Sequence, residues 1–305
     1  MSIAIRDVFG KTLQSYCDDP RIVVLDADLG KATKAIAFQK VCPQRYIDVG
    51  IAEQDMIGMA AGLSTCNMIP IAATFSVFLT GRAFDQIRNT VAYANLNVKL
   101  VGTHAGVTVG YDGGTHQAIE DIALMRSLPN MVILNPADAR EAELAIRAAI
   151  EYEGPVYLRI SRVATPDIHD DQYQFKIGKG EILCEGNDVA IIATGIMVAK
   201  ALEAAKQLKA EGIEATVVNI TSIKPIDREL LARVAEKTGK VVTAEEHTII
   251  GGLGSAVSEV LSYEKPVPIR YVGIQDCFGC SGSPDQLLKH YKLTSEDIVA
   301  AAKSF

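Results

Sequence analysis

Residues 45–75 read RYIDVGIAEQDMIGMAAGLSTCNMIPIAATF. A run of β-branched and aromatic residues ends at Gly50, a stretch rich in alanine, glycine and methionine follows, and a second apolar run ends at Phe75. This alternation is typical of a β-α-β unit, in which a helix joins two parallel strands. The stretch therefore predicts a parallel sheet covered by helices.

The same alternation continues on both sides of this stretch. The N-terminal half has the predicted strands RIVVLDAD, RYIDVG, IPIAATF, NVKLVGT, MVILN and PVYLRIS. The C-terminal half has DVAIIATG, EATVVNIT, GKVVTAEE and PVPIRYVG. We predict an α/β fold of two domains, residues 1–166 and 186–305, each a mostly parallel sheet flanked by helices. The polar stretch 167–185 is predicted to be the linker.

Composition limits the classes of protein to consider. The chain has 305 residues, of which 49% are hydrophobic and 22% charged, and a net charge of −7. These values are typical of a globular protein, and they indicate no basic face for nucleic acid. The longest apolar run, residues 189–199, is too short to cross a membrane, and the N-terminus lacks the apolar core of a signal peptide. We therefore expect a cytoplasmic protein without a membrane segment.

Six cysteines are present, and no spacing among them predicts a metal site. Four are scattered, which is typical of small buried side chains in a reducing cell. Cys277 and Cys280 form a C-x-x-C in a Gly/Ser/Pro-rich loop, but a zinc site would need a second pair. We interpret them as two loop cysteines and expect no metal ligands on this chain.

Ligands of open parallel sheets bind beyond the carboxyl ends of the strands, and three such junctions are unusual. In residues 48–64, Glu53 falls at the start of a predicted helix, where a carboxylate also has the ordinary role of complementing the helix dipole. In residues 103–121, His104 and His116 flank a glycine-rich loop that carries Asp112. These side chains suit hydrogen bonding to a polyol or proton transfer, and surface histidines are the plainer interpretation.

The third junction is residues 73–89. Core packing is the default interpretation of aromatic residues on a helix. Phe75 and Phe78, however, lie at a strand–helix boundary, where a ring can stack on a planar heterocycle.

These three segments, in this order, resemble the pyrimidine-binding domain of transketolases. The matching strings are RYIDVGIAEQD, AATFSVF and GTHAGVTVGYDGGTHQAIEDIALMRSLPNMVILNPAD, and TAEEHTIIGGLGSAVSEVL resembles the family's C-terminal domain. The resemblance covers essentially the whole chain. It implies a two-carbon ketol transfer between sugar phosphates that depends on thiamine diphosphate.

The resemblance also implies roles for individual residues. Glu53 takes the position of the glutamate that activates the cofactor through its aminopyrimidine ring. The other implied cofactor contacts are the stacking Phe75, the pocket-lining Phe78 and the acidic Asp28. The implied substrate contacts are His104, His116 and Asp112 for the sugar and Arg162 and Arg6 for the phosphate.

Among the departures from the family pattern, two bear on the cofactor site and on the need for a partner. Where family members have a further aromatic after TFxxF, this chain has Gly81 followed by Arg82, which alters one wall of the pocket. The G-D-G…N motif that holds Mg²⁺ and the diphosphate is missing. We therefore expect a separate N-terminal subunit to supply the magnesium ligands in an α₂β₂ assembly, with the second domain of this chain providing dimer contacts rather than chemistry.

Three alternatives stay open. The β subunit of a 2-oxoacid dehydrogenase has the same two-domain plan, but its histidine loop differs. The synthase of 1-deoxyxylulose 5-phosphate shares VGIAEQ but carries an arginine in place of His104. A non-catalytic assembly subunit is the third.

Overall fold

The computed structural model describes residues 3–305, which form two α/β domains. Within this part of the chain the strands are β1 Ile22–Asp26, β2 Tyr46–Asp48, β3 Ile69–Phe75, β4 Lys99–Thr103, β5 Val132–Leu134, β6 Val156–Arg159, β7 Glu181–Cys184, β8 Val189–Ala193, β9 Ala215–Asn219, β10 Ser222–Lys224, β11 Val241–Thr248 and β12 Ile269–Ile274. The first sheet has the strand order β10-β5-β6-β4-β3-β1-β2, and the second has the order β12-β11-β8-β9-β7.

Helices cover both sheets. They are α1 Ile5–Gln14, α2 Gly30–Thr33, α3 Ile36–Gln39, α4 Glu53–Ser64, α5 Phe84–Gln86, α6 Asp121–Arg126, α7 Ala139–Glu151, α8 Met197–Ala210, α9 Arg228–Thr238, α10 Leu253–Glu264, α11 Pro284–His290 and α12 Ser295–Lys303. Phe78–Arg82 and Ile87–Ala92 are π-helical, and Pro43–Arg45 and Val107–Val109 are 3₁₀ turns. From residue 3 to residue 305, no helix has the length and apolarity needed to cross a membrane.

Every predicted strand is present, which confirms the α/β interpretation. The central strands are buried along their whole length, as their β-branched runs predict. The last helix, α12, begins with a capping box formed by Thr294 and Asp297.

Two short strands were not predicted from the sequence. The last residues of the predicted linker 167–185 form β7, which pairs antiparallel with β9, so the end of the linker is corrected here. β10 pairs antiparallel with β5 and so extends the first sheet with a segment from the second half of the chain. Both are edge strands of only three or four residues, which is too short for a periodic pattern to indicate a strand.

The two domains are joined by a continuous apolar core. Leu128 and Met131, beside β5, belong to the same buried cluster as Ile223 of β10 and Leu253 of α10. Burial of this shared apolar surface favours a fixed arrangement of the domains over a flexible one.

The cysteine prediction is wrong for one pair. Cys17 and Cys42 form a disulfide with a Cα–Cα distance of 5.8 Å. Their separation of 25 residues gave no sign of this, because the helices α1 and α3 bring them together only in the folded chain. Cys277 and Cys280 are free and exposed, as the loop interpretation expects.

Candidate active site

Five neighbouring strands of the first sheet deliver the predicted residues to one edge. In the sheet order β6-β4-β3-β1-β2, Arg162 follows β6, His104 follows β4 and Phe75 ends β3. Asp28 follows β1, and Glu53 follows β2. Since these strands are parallel, their carboxyl ends meet on the same side, which is where such sheets bind ligands.

Glu53 is the first residue of α4, and only 4% of it is exposed. Its Oε1 accepts a hydrogen bond from Arg82 Nη1 at 2.8 Å. The helix N-terminus and this guanidinium together offset the cost of burying the carboxylate.

Arg82 reaches Glu53 from the end of the π-helical turn Phe78–Arg82. Its guanidinium also lies 4.2 Å from the centre of the Phe78 ring. Arg82, which departs from the family pattern, therefore contacts both Glu53 and Phe78, two of the residues that are predicted to bind the cofactor. π-helical turns often occur at functional sites.

The predicted aromatic and histidine residues form one cluster. The Phe75 ring stacks on His104 with centroids 3.9 Å apart and lies parallel to Phe78 at 5.9 Å. His116 meets the Phe78 ring edge-on at 5.2 Å. Phe75 is buried and Phe78 is half-buried, so Phe78 is the more accessible ring of the two.

His104 is held in one orientation by polar contacts on both ring nitrogens. Nε2 lies 3.2 Å from Arg6 Nη1, and Nδ1 lies 3.0 Å from Thr103 Oγ1. Because a guanidinium only donates, Nε2 accepts, and the proton lies on Nδ1, which donates to Thr103. Burial, followed by the charges of Arg6 and Arg162, lowers the pKa of His104 to about 3, so the imidazole is neutral at neutral pH.

The backbone of His104 is unusual as well. Its φ of +56° lies in the left-handed region, which a residue other than glycine adopts at a cost of about 1–3 kcal/mol. Such conformations cluster at functional sites, where the surrounding structure holds them in place.

The two predicted phosphate arginines have different surroundings. Arg6 donates to the carbonyl of Ala32 at 3.4 Å in addition to its contact with His104. Arg162 donates to the Val109 carbonyl at 2.5 Å and forms an ion pair with Asp112 at 3.3 Å. Both guanidinium groups are only partly buried, which suits recognition of an anionic group.

Asp28 is a predicted site residue that lies outside the cluster of aromatic and histidine side chains. It is exposed with φ +58°, and its backbone N–H donates to Asp48 Oδ1 at 3.0 Å. Among the residues the structure describes, no hydrogen bond or ion pair links the Asp28 side chain to the cluster.

A buried ion pair that was not predicted from the sequence lies beneath the site. Arg159, in the RISR string, donates to both carboxylate oxygens of Asp121, at 2.8 and 3.3 Å, and Tyr157 donates to the same carboxylate at 2.7 Å. Burial alone would raise the pKa of Asp121, but Arg159 and His247 lower it. Arg159, a charged residue at the end of an apolar strand, was the available signal, but the local pattern did not indicate where its partner lies.

The chemistry of the donor set fits the aminopyrimidine half of a thiamine cofactor. A buried carboxylate can share a proton with a ring nitrogen, and Phe75 and Phe78 are rings of the kind that contact a planar heterocycle. Over residues 3–305, no three His, Cys, Asp or Glu side chains are grouped so that they would hold a metal ion. These features are those expected of a thiamine pyrimidine-binding domain, and comparison with known proteins shows that the chain contains a domain of this class.

The chain belongs to the transketolase family. Residues 1–167 match the family described as transketolase, pyrimidine binding domain, and residues 178–298 match transketolase, C-terminal domain. A split-gene transketolase solved as an inactive β4 tetramer is 54% identical, with a TM-score of 0.92, and the match covers 99% of this chain and 97% of that one. The chain therefore matches, over nearly its full length, the C-terminal subunit of split transketolases.

Two relatives show the range of activities in this family. The 6-deoxy-6-sulfo-D-fructose transketolase subunit SqwH of Clostridium sp. (strain MSTE9) is 46% identical over 98% of this chain and 93% of its own length. The 1-deoxy-D-xylulose-5-phosphate synthase 1 of Geobacter sulfurreducens is 41% identical over 98% of this chain but only 47% of its own length. The chain thus spans about half of that synthase.

Proposed function

We propose that this chain is the C-terminal subunit of a split transketolase. With an N-terminal partner it transfers a two-carbon ketol unit from a ketose phosphate to an aldose phosphate through thiamine diphosphate. The observation that carries the proposal is the buried Glu53 at the start of α4, beside the cluster of Phe75, Phe78, His104 and His116.

Thiamine diphosphate would supply the carbon nucleophile of its thiazolium ring. Glu53 would hold a proton at N1′ of the aminopyrimidine, because its burial strengthens that hydrogen bond and excludes competing water. For this, Arg82 must release the Oε1 atom that it contacts or move to the other oxygen.

Different polar residues would contact different parts of the substrate. His104, neutral and protonated on Nδ1, would present Nε2 to a hydroxyl hydrogen of the ketose once Arg6, which donates to that nitrogen here, turns to the anionic end of the sugar. His116 and Asp112 would hydrogen-bond further hydroxyls. Arg6 and Arg162 would hold the anionic end of the sugar, since a guanidinium binds phosphate or sulfonate oxygens in pairs.

The partner subunit would supply the diphosphate grip and the Mg²⁺ ligands. We propose an α₂β₂ complex in the cytoplasm. The relative solved as an inactive β4 tetramer supports a need for a partner, because that assembly contains β chains alone.

Reconstitution tests the proposal directly. The chain is mixed with its candidate N-terminal subunit, thiamine diphosphate and Mg²⁺, and product formation is followed with xylulose 5-phosphate and ribose 5-phosphate. A parallel arm replaces the donor by 6-deoxy-6-sulfo-D-fructose, the sugar named for the Clostridium relative. Ketol transfer in either arm, absent from each subunit alone, is expected; no transfer in both arms would refute the proposal.

A second candidate is a synthase of the 1-deoxyxylulose 5-phosphate type, which the 41% identity to the Geobacter enzyme favours. Pyruvate with glyceraldehyde 3-phosphate distinguishes it, since only the synthase would consume pyruvate and release carbon dioxide. Tight Mg²⁺-dependent binding of thiamine diphosphate by this chain alone, measured by calorimetry, would argue against the split arrangement. Full activity of a Glu53→Ala complex would favour a non-catalytic assembly subunit.

A further inference from the structure

The loop from His104 to Ala118, which carries both predicted sugar histidines, is anchored by a residue of the second domain. Glu246 of β11 accepts a hydrogen bond at Oε1 from the backbone N–H of Thr108, at 2.7 Å. Gly106 packs directly against the same carboxylate, because a Cβ added there would lie 2.2 Å from Glu246 Cδ. The loop therefore rests on the Glu246 side chain at two points.

Glu246 is not an ordinary surface contact. It is 3% exposed, and its second oxygen, Oε2, is buried without a hydrogen-bond partner in the described chain. Burial raises the pKa of Glu246 to about 7, while the nearby Arg159 opposes the increase. A buried, half-satisfied carboxyl group costs free energy, so its presence at this point of β11 calls for a function.

The anchored segment leads straight to the substrate contacts. Val109, which follows Thr108, gives its carbonyl to Arg162 Nη1. The other arm of the loop meets the same strand through Arg159, which donates to the backbone carbonyls of Ala118 at 3.3 Å and Glu246 at 2.9 Å and does not contact the Glu246 carboxyl group. A shift of the Glu246 carboxyl group would thus move Thr108 and, through the Val109 carbonyl, the Arg162 contact, within the loop that joins the two histidines.

Its neighbour Glu245 has equal burial but different contacts. Glu245 accepts hydrogen bonds from the N–H groups of Leu253 and Gly254, at 2.6 and 2.8 Å, at the start of α10. These partners belong to the second domain, so Glu245 supports that domain without touching the histidine loop.

We propose that Glu246 is a positioning residue for the sugar site: its carboxyl group, reaching across the domain boundary to Thr108, sets the geometry in which His104, His116 and Arg162 meet the ketose. This inference rests on the proposed function and assigns the second domain a part in substrate handling, beyond the dimer contacts that the sequence led us to expect.

The experiment compares four variants of the reconstituted complex. Glu246→Gln keeps an acceptor at the same reach without the charge, and Glu246→Asp keeps the charge but withdraws the acceptor by one methylene. Glu246→Leu removes the acceptor and leaves the buried Thr108 N–H unpaired, and Glu245→Leu is the control for a lost buried carboxyl group. KM and kcat are measured for the ketose donor.

We expect Glu246→Leu to raise KM about ten-fold or more, since an unpaired buried donor of this kind has an effect of that order. Glu246→Asp should raise KM several-fold, and Glu246→Gln should stay within about two-fold of the parent. Glu245→Leu should leave KM unchanged even where it lowers stability. Unchanged KM in the Asp and Leu variants of Glu246, or an equal rise in Glu245→Leu, would overturn the proposal.

A second readout is independent of activity. In the chain labelled with ¹⁵N-histidine, long-range ¹H–¹⁵N spectra report the imidazole nitrogens. Glu246→Asp should shift the His104 and His116 signals, whereas Glu245→Leu should not. If the complex lacks ketol transfer while these signals move, the proposed function fails and the positioning role stands. If transfer is present and neither the signals nor KM change, the positioning role fails.

Discussion

Replacement of His169 by glutamine is expected to weaken the junction of the two domains in a pH-dependent way. The His169 side chain is 2% exposed, with Nδ1 3.0 Å from Asp138 Oδ2 and Nε2 2.9 Å from Glu181 Oε2. Asp138 caps the N-terminus of α7 in the first domain, and Glu181 lies on β7 of the second sheet, so the imidazolium joins both. Burial alone would lower the pKa of His169, but the adjacent carboxylates of Asp138, Glu181 and Glu141 raise it to about 10.

The magnitude follows from this pKa. A histidine that changes from an ordinary pKa near 6.5 to about 10 on folding would contribute at most about 5 kcal/mol at low pH. Glu181 is 38% exposed, so solvent screens part of the attraction, and we expect about 2–3 kcal/mol. Because the folded pKa is the higher one, this stabilisation is complete below pH 6.5 and disappears as pH rises towards 10.

Urea unfolding of the chain, followed by circular dichroism at pH 6, 8 and 9.5, measures the effect. The difference in unfolding free energy between the parent and His169→Gln should be about 2–3 kcal/mol at pH 6 and should shrink steadily to pH 9.5. His290→Gln, at an exposed histidine, is the matched control and should change little at any pH. A difference for His169→Gln that stays constant over this pH range would refute the imidazolium account.

Three further predictions follow from the site and its surroundings. Glu53→Gln should lower kcat of the reconstituted complex at least about 100-fold, because an amide cannot exchange a proton with the cofactor ring, and far-ultraviolet circular dichroism should stay unchanged; near-normal kcat would contradict this. Gly106→Ala should raise the ketose KM and lower the melting temperature, since φ at Gly106 is +80° and the new Cβ meets the carboxyl group of Glu246; Gly212→Ala, where φ is +83° but nothing lies within 4 Å, controls for backbone strain. Thiol titration of the denatured chain should give four free thiols before reduction and six after it, because Cys17 and Cys42 are joined; six thiols at the outset would disprove the disulfide.

The sequence by itself determined the fold class and the edge of the sheet at which the candidate residues lie. Strand and helix periods are local properties, so the alternation around residues 45–75 predicted the parallel sheet and its order of elements. The strand ends then identified Glu53, Phe75 and His104 as neighbours, because carboxyl ends of parallel strands meet at one edge. The resemblance in motifs supplied the roles that this edge was predicted to perform.

Only the tertiary structure decided which residues distant in the sequence come into contact. The contact of Arg82 with Glu53 spans 29 residues, that of Thr108 with Glu246 spans 138, and the disulfide joins residues 25 apart. The periodicity of the sequence carries no information on such long-range contacts, because each contact depends on how a turn or a strand end is oriented once the sheets have packed. The same holds for β10, a short strand of the second half that completes the edge of the first sheet. Local residue pattern thus determined where the site lies, and long-range packing determined the charges that surround it.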